Sequence, residues 1–202
     1  MITSMCNSYE HTIVITNRHL VQGDFLKQLE KVTKLHPHAL ILREKDLTDD
    51  AYESLAKKVF DLCEREDITF FLHTKIEIAR KIGCQNIHLS IPVLKGLSET
   101  EKKALTEDFC EISISCHSME DVEIAMAGGA TQIILGTIFE TECKKGVLGK
   151  GVEFVREICQ KCPLPVYAIG GMNLQRLPLV IDAGAAGCCM MSGFMQTTKP
   201  LQ

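Results

Sequence analysis

The chain has 202 residues, 46% of them hydrophobic and 24% charged, which suits a globular domain with a sizeable core. Its formal net charge of −4 gives no basic field for nucleic acid, so any anion site must be local. No apolar run approaches the roughly 18 residues of a membrane span, and residues 1–7 lack the charged and apolar regions of a signal peptide. We therefore expect a cytoplasmic protein without nucleic-acid or membrane partners.

Eight short apolar runs alternate with amphipathic segments along the chain. We predict β-strands at 12–16, 39–43, 68–72, 86–89, 111–115, 131–135, 165–169 and 186–191. Most of these runs are nearly continuous in apolar residues, which is typical of parallel strands buried on both faces. Strict alternation predicts a parallel α/β fold. Eight strands in so short a chain favour a single (β/α)8 TIM barrel over 1–202 rather than an open doubly wound sheet.

The segments between the runs carry helix signals. Residues 24–35 and 49–66 place apolar side chains at helical spacing. Capping-box patterns at Ser98-Glu-Thr-Glu101 and, less perfectly, at Ser118-Met-Glu-Asp121 predict the starts of the fourth and fifth helices. Glycines stand where three helices should end, at Gly83, Gly128 and Gly184.

Only eleven residues follow the last predicted strand. The eighth helix of the barrel should therefore be short or missing. A missing helix would expose apolar barrel surface, which indicates either a truncated chain or a covering partner subunit. We expect a homodimer.

Ten cysteines are many for this length. Several lie inside apolar runs, where a free cysteine behaves as a small hydrophobic residue. Without a secretory signal, reduced thiols in a cytosol are the expected state. Cys159-Gln-Lys-Cys162 has the spacing of a redox or zinc pair, but no second such pair accompanies it. Two thiols at a helix end is the simpler interpretation.

Function in such a barrel is expected at the carboxyl ends of the strands. Gly170 and Gly171 follow the seventh strand, and Ser192 and Gly193 follow the eighth. Barrel enzymes commonly hold phosphate in these two loops, where glycine amides approach an anion closely and a following helix N-terminus adds positive charge. The alternative is that these glycines only form tight turns.

Cationic side chains are expected around the same mouth. Arg43 ends the second strand, where its guanidinium either binds an anion or pairs with Glu44 or Asp46. The charged, glycine-rich loop at 136–151 follows the sixth strand and carries Lys144. This loop is expected to be either a mobile lid or a solvated connection.

Three histidines are predicted at strand ends. His117 ends the fifth strand, where an imidazole either moves protons near neutral pH or hydrogen-bonds to backbone at a helix start. His73 and His88 end the third and fourth strands. No carboxylate stands beside them at ligand spacing, so we expect no catalytic metal.

At these residues the chain resembles the thiamine phosphate synthase superfamily, and more closely its thiazole tautomerase (TenI-type) branch. The resemblance extends from the first predicted strand to the last. Its specific segments are 136–146, 167–172 and 191–193. Weaker matches are 42–45 and 115–118.

The resemblance implies a choice between two reactions. The synthase branch ionises a pyrimidine pyrophosphate with Mg²⁺, held by aspartates after strands three and four. Those places here read His73-Thr-Lys75 and Ser90-Ile-Pro-Val93, without a carboxylate. The loop after strand six reads Phe139-Glu-Thr141 and then Cys143, as in the tautomerase branch, where synthases tend to have Phe-Pro-Thr. The resemblance therefore implies an isomerase with no cofactor, and Mg²⁺ only if the chain is a synthase.

The resemblance also implies a role for each candidate residue. The substrate would be a phosphorylated carboxythiazole of thiamine biosynthesis, which His117 converts to its aromatic isomer by relocating a proton. Phosphate would be held by Gly170, Gly171, Ser192 and Gly193. Other anion contacts would come from Arg43, Lys45 and Lys144. Further pocket candidates are His73, Thr137, Thr141 and Cys143.

Two other functions stay open. One is a thiamine phosphate synthase (thiamine-phosphate pyrophosphorylase) with unusual metal ligands, which would join a pyrimidine pyrophosphate to a thiazole phosphate. The other is a non-catalytic protein that binds a thiamine precursor, since a fold does not determine a function.

Overall fold

A computed structural model describes residues 8–141, 146 and 148–196. Eight parallel strands pair in chain order, and β8 pairs with β1 to close the barrel. The strands are β1 Thr12–Ile15, β2 Ala39–Leu42, β3 Thr69–His73, β4 Asn86–Ser90, β5 Glu111–Cys116, β6 Gln132–Gly136, β7 Val166–Ile169 and β8 Gly187–Met190. The predicted TIM barrel is confirmed, and every strand begins within one residue of its predicted start.

Helices cover the outside of the barrel. Those of the described ranges are α1 Phe25–Thr33, α2 Asp49–Arg65, α3 Ile76–Ile82, α4 Ile91–Gly96, α5 Glu99–Asp108, α6 Met119–Ala127, α7 Gly151–Lys161, α8 Leu177–Asp182 and α9 Ser192–Met195. The helix starts predicted at Ser98 and Ser118 are confirmed, since these serines open α5 and α6, the helices that lead from the fourth and fifth strands to the next; α4 is an additional short helix before α5. The six-residue α4 follows directly on β4, so no loop signal separates the two elements.

The helix starts follow the capping chemistry of the sequence. The Ser98 hydroxyl accepts a hydrogen bond from the Glu101 amide, and the Glu101 carboxylate accepts one from the Ser98 amide at 2.8 Å. Ser118 caps α6 by accepting from the Asp121 amide at 3.1 Å. Gly83 ends α3 in the left-handed region at φ 74°, which costs glycine little.

The core has two apolar layers, one inside the barrel and one between the strands and the helices. Strand residues alternate between the layers, which explains why the runs in the sequence are almost wholly apolar. The inner layer includes Ile13, Ile41, Phe71, Ile134 and Tyr167. No helix of the described ranges combines the length and apolarity needed to cross a bilayer.

The eighth helix of the barrel is reduced to α9, four residues long, as the short-helix prediction required. Phe194 and Met195 of α9 are buried, and the Gln28 amide of α1 donates to the Phe194 carbonyl at 2.6 Å. This contact holds the end of β8 against the first helix. Residues 197–202 lie outside the described part of the chain.

The thiols of the described chain are all free: Cys63, Cys84, Cys110, Cys116, Cys159, Cys162, Cys188 and Cys189. Most of them are buried. Burial raises the pKa of the Cys116 thiol to about 12, which keeps it protonated and a poor nucleophile. The interpretation of Cys116 as a packing residue fits its surroundings.

Candidate functional site

A cavity of about 590 Å³ opens at the carboxyl ends of the strands. Its walls come from every strand end, so the barrel closure itself creates the cavity. Apolar side chains such as Ile15, Ile41 and Ile134 form its floor, and polar groups stand above them. This arrangement suits a small molecule with a polar periphery.

The cavity brings together most of the predicted site residues. Those that line it are Arg43, Lys45, His73, His117, Thr137, Thr141, Gly170, Gly171 and Ser192. Gly193 lies one residue further along, within α9, and does not line the cavity. Cys143 and Lys144 lie outside the described residues.

His117 stands at the end of β5, immediately before α6. Its Nδ1 lies 2.7 Å from the Gly136 carbonyl oxygen, and its backbone amide donates to the Asp121 carboxylate at 2.7 Å. A carbonyl oxygen only accepts, so Nδ1 carries a proton, and the tautomer that this contact selects presents its lone pair at Nε2. Lys150 donates to the His117 carbonyl, which fixes the backbone on its other side. His117 is thus an oriented and exposed imidazole at the cavity edge.

The glycine loop after β7 lies directly against the loop after β6. The Ile138 amide donates to the Ile169 carbonyl at 2.9 Å, and the Phe139 amide donates to the Gly170 carbonyl at 3.0 Å. Gly170 has φ +101°, and a Cβ there would lie 3.0 Å from the Thr137 Cα. A side chain at position 170 would therefore be both strained and in contact with backbone. The close approach explains why glycine stands there.

Short helices follow both loops of the predicted phosphate site. α8 begins at Leu177, six residues beyond Gly171, whereas the four-residue α9 begins at Ser192, which lines the cavity. The contribution of these helix N-termini to phosphate binding stays a prediction. A cation also stands close to the first loop, since the Arg176 guanidinium donates to the Gly171 carbonyl at 2.5 Å and stacks over the Phe139 ring at 4.5 Å.

Two stacked imidazoles form the β3–β4 side of the cavity. The rings of His73 and His88 have centroids 5.4 Å apart. Both ring nitrogens of His88 lie 2.9 Å from serine hydroxyls, those of Ser113 and Ser115. His73 is only 7% exposed, and its Nδ1 is buried without a partner among the described residues. Burial lowers the pKa of both histidines to about 3, with further lowering by Arg43 and Lys45 and, for His88, by the adjacent His73, so both are neutral near pH 7.

The side chains present do not fit Mg²⁺. None of the described residues that line the cavity is a carboxylate, and no cluster of three metal-ligating side chains occurs within the same part of the chain. Mg²⁺ requires hard oxygen ligands at octahedral positions. After β3, Lys75 is turned to the exposed Asp49 carboxylate at 2.5 Å, and after β4, Ser90 offers a single hydroxyl. The described lining side chains are either cationic or uncharged, whereas a magnesium site needs anionic oxygen ligands.

The anion contacts predicted for β2 reach the cavity through Arg43 and Lys45. The alternative, in which Arg43 pairs with Glu44 or Asp46, does not occur among the described contacts. Both carboxylates bind Arg18 instead. Arg18 belongs to a short 3-10 helix, Arg18–Leu20, that follows β1.

Sequence reasoning missed several residues around the cavity. Asn17 and Met191 line it, and the Asn17 amide lies 3.9 Å from the Met191 Sδ. Ser115 of β5 also lines it, two residues before His117, which directly follows the strand. Period-two spacing back from His117 would have found Ser115, but nothing local to Asn17 or Arg18 indicates a role.

Most of the chain matches a family of known proteins. The model of the TMP-TENI family, described as thiamine monophosphate synthase, matches residues 12–194. "Putative thiamine-phosphate synthase 2" from Aquifex aeolicus is 29% identical over 90% of this chain and 96% of its own length. "Thiamine-phosphate synthase" from Coprothermobacter proteolyticus is 30% identical over 89% of this chain and 84% of its own.

Solved structures show the same barrel. Thiamine phosphate pyrophosphorylase from Pyrococcus furiosus has a TM-score of 0.81 at 22% identity, over 95% of this chain and 90% of that one. The enzyme of the same name from Bacteroides thetaiotaomicron has a TM-score of 0.60 at 20% identity, over 89% and 82%. Because these sequence identities are low, the similarity to the two structures shows the fold alone. With a family model that extends from β1 into α9, the chain belongs to the thiamine monophosphate synthase family.

Proposed function

We propose that this chain is a metal-independent thiazole tautomerase of thiamine biosynthesis, acting on a phosphorylated carboxythiazole. One observation carries the proposal: the cavity combines an oriented imidazole with two cations and has no carboxylate among its described lining residues. Isomerisation by proton transfer needs an acid/base and anion contacts, whereas displacement of pyrophosphate also needs a metal. The free thiols favour a reducing compartment, and we place the protein in the cytoplasm.

His117 is the proton carrier in this proposal. Its Nε2 lone pair accepts a proton from the non-aromatic thiazole ring, and the electrons of the broken C–H bond move into the ring. The imidazolium then donates the same proton to a carbon outside the ring that is conjugated with it, so that the exocyclic double bond shifts into the ring, the aromatic isomer forms and the neutral histidine is restored. The Gly136 carbonyl, hydrogen-bonded to Nδ1, holds the ring and stabilises its transient charge.

In this proposal the substrate's two anionic ends bind at different parts of the cavity wall, on either side of β1. The Gly170-Gly171 loop and Ser192 would hold the phosphate, where backbone amides can approach it closely. Arg43 and Lys45 would contact the carboxylate from β2. Thr137 and Thr141 lie on the β6 side of the cavity, near the proposed phosphate.

The second candidate is a thiamine phosphate synthase, and the names of the relatives favour it. That reaction would require this cavity to hold Mg²⁺ with histidine, serine and threonine in place of aspartate. Hydroxyls and imidazoles are weak ligands for so hard a cation. We therefore rank the tautomerase first.

The proposal is tested by replacing the proton carrier. His117→Gln keeps a donor for the Gly136 carbonyl but removes the base, so kcat for the isomerisation should fall by about 10²–10⁴-fold. The matched control, His36→Asn, changes an exposed histidine remote from the cavity and should retain wild-type turnover. Proton exchange at the substrate's ring carbon, followed by NMR, reports the same step independently.

Three outcomes separate the candidates. Isomerisation that is unaffected by chelator and lost in His117→Gln supports the tautomerase. Formation of thiamine phosphate from the pyrimidine pyrophosphate and thiazole phosphate, dependent on added Mg²⁺, would favour the synthase. Tight binding of the thiazole phosphate by calorimetry with neither turnover would leave a non-catalytic binding protein.

A further inference from the structure

We propose that Arg18 is a positioning residue for the anion-binding side of the cavity. It binds both carboxylates of the segment 43–46, so that only the two cations of that segment face the cavity. The inference rests on the proposed anion-binding function of this cavity, but not on which reaction takes place there. Arg18 does not line the cavity itself.

Glu44 is the first of the two carboxylates. Its side chain is 1% exposed, and it accepts from the Thr16 hydroxyl at 2.7 Å and from the Arg18 backbone amide at 3.0 and 3.1 Å. The Arg18 guanidinium adds an ion pair at 3.1 Å. A carboxylate this deeply buried needs a cation, because an unpaired buried charge is strongly destabilising.

Asp46 is the second carboxylate, and it is half-exposed. It takes both terminal nitrogens of Arg18, at 2.6 and 2.5 Å, in a two-point contact that suits the planar guanidinium. His19 Nε2 approaches the same carboxylate at 2.9 Å. The hydrogen bond from Arg18 holds the pKa of the Asp46 carboxyl well below its usual range.

Charges alternate along the segment as Arg43, Glu44, Lys45 and Asp46. The two cations line the cavity, and the two anions contact the 3-10 helix after β1. Thr16 joins the two sides, since its hydroxyl donates to Glu44 and accepts from the Arg43 amide at 2.9 Å. Arg43 and Lys45 flank Glu44 in the chain, and either cation, if drawn to Glu44 in the absence of Arg18, would be lost to a bound anion.

The experiment measures binding of inorganic pyrophosphate by calorimetry. Arg18→Gln should weaken binding about tenfold or more, since contacts to a charged ligand are lost. Arg18→Gln/Glu44→Gln removes the competing carboxylate as well, and its affinity should return to within about threefold of wild type. The double variant also removes the buried unpaired charge, so it should fold where the single variant is marginal.

The matched control is Arg80→Gln. Arg80 also binds two carboxylates, Glu77 and Asp108, but on the outer surface away from the cavity. It should leave pyrophosphate affinity unchanged. Wild-type affinity in Arg18→Gln would overturn the proposal. A double variant that binds as weakly as the single one would also overturn it, because the loss would then come from local disorder and not from Glu44 competing for Arg43 or Lys45. No binding by the wild type would overturn the anion cavity as well, whereas absent isomerase turnover with these affinities intact would overturn only the tautomerase.

Discussion

His73 and His88 are two imidazoles whose charge is set by burial. Their pKa values are lowered to about 3, first by desolvation and then by neighbouring charges. In the unfolded chain a histidine takes up its proton near pH 6.5. The unfolded state therefore binds more protons than the folded state between about pH 6.5 and 3, and stability must fall as the pH falls through that window.

The loss of stability with falling pH leads to a prediction for His73→Asn. For each buried neutral histidine, the free energy of unfolding of the wild type should decrease by about 2 kcal/mol as the pH is lowered from about 7.5 to about 5. The variant should show a pH dependence smaller by that amount, measured by urea unfolding at both pH values. Wild-type pH dependence in His73→Asn would contradict the assigned neutral state. The exposed His36, replaced by asparagine in its left-handed turn, serves as the reference.

At the scale of elements, the loops after β6 and β7 act as one unit. The amides of Ile138 and Phe139 are bound to the carbonyls of Ile169 and Gly170, so a shift in one loop moves the other. The proposed phosphate site and the carbonyl that orients His117 thus share a backbone connection. Gly136 ends β6 and pairs with Ile169, the last residue of β7, which Gly170 follows.

The two glycine positions of the predicted phosphate site should respond differently to alanine. Gly170→Ala forces a side chain at φ +101° against the Thr137 backbone, and we expect a loss of about 2 kcal/mol or more in stability, with weaker phosphate binding. A Cβ at Gly193 meets nothing within 4 Å, so Gly193→Ala should fold and bind phosphate as the wild type does. Thermal unfolding with and without inorganic phosphate compares them, and equal losses would refute the assignment.

At the scale of the whole molecule, closure of the barrel brings remote residues to one mouth. Arg43, His117 and Gly170 are separated by more than fifty residues each, yet they line the same cavity. Parallel strands in register make this inevitable, because all their carboxyl ends point the same way. The site is therefore a property of the complete barrel rather than of any local motif.

The assembly of the molecule stays a prediction. The stub α9 buries Phe194 and Met195, while α8 leaves Leu179 and Ile181 exposed. Apolar surface beside a shortened helix favours a second copy as cover. We expect a dimer in sedimentation equilibrium, and a monomer at high concentration would rule it out.

Periodicity was enough to predict the strands, their parallel pairing and the mouth positions of Arg43, His117 and Gly170. The reason is that a strand buried on both faces must be apolar, and its polar neighbours must then mark its ends. The tight loop at Gly170 and Gly171 could also be predicted, because backbone with a positive φ favours glycine. The short α4 was not, since six residues leave too little periodic signal.

Only the tertiary structure decided which charges face the cavity. In the sequence, Arg43 stands beside Glu44 and could have been neutralised by it. In the folded chain that carboxylate pairs with Arg18, a residue 26 positions away that follows another strand. The same holds for the tautomer of His117, which depends on a carbonyl of β6. A sequence determines where side chains stand along a strand, but partners across the barrel follow from closure, because electrostatic and hydrogen-bonding choices depend on distances in space.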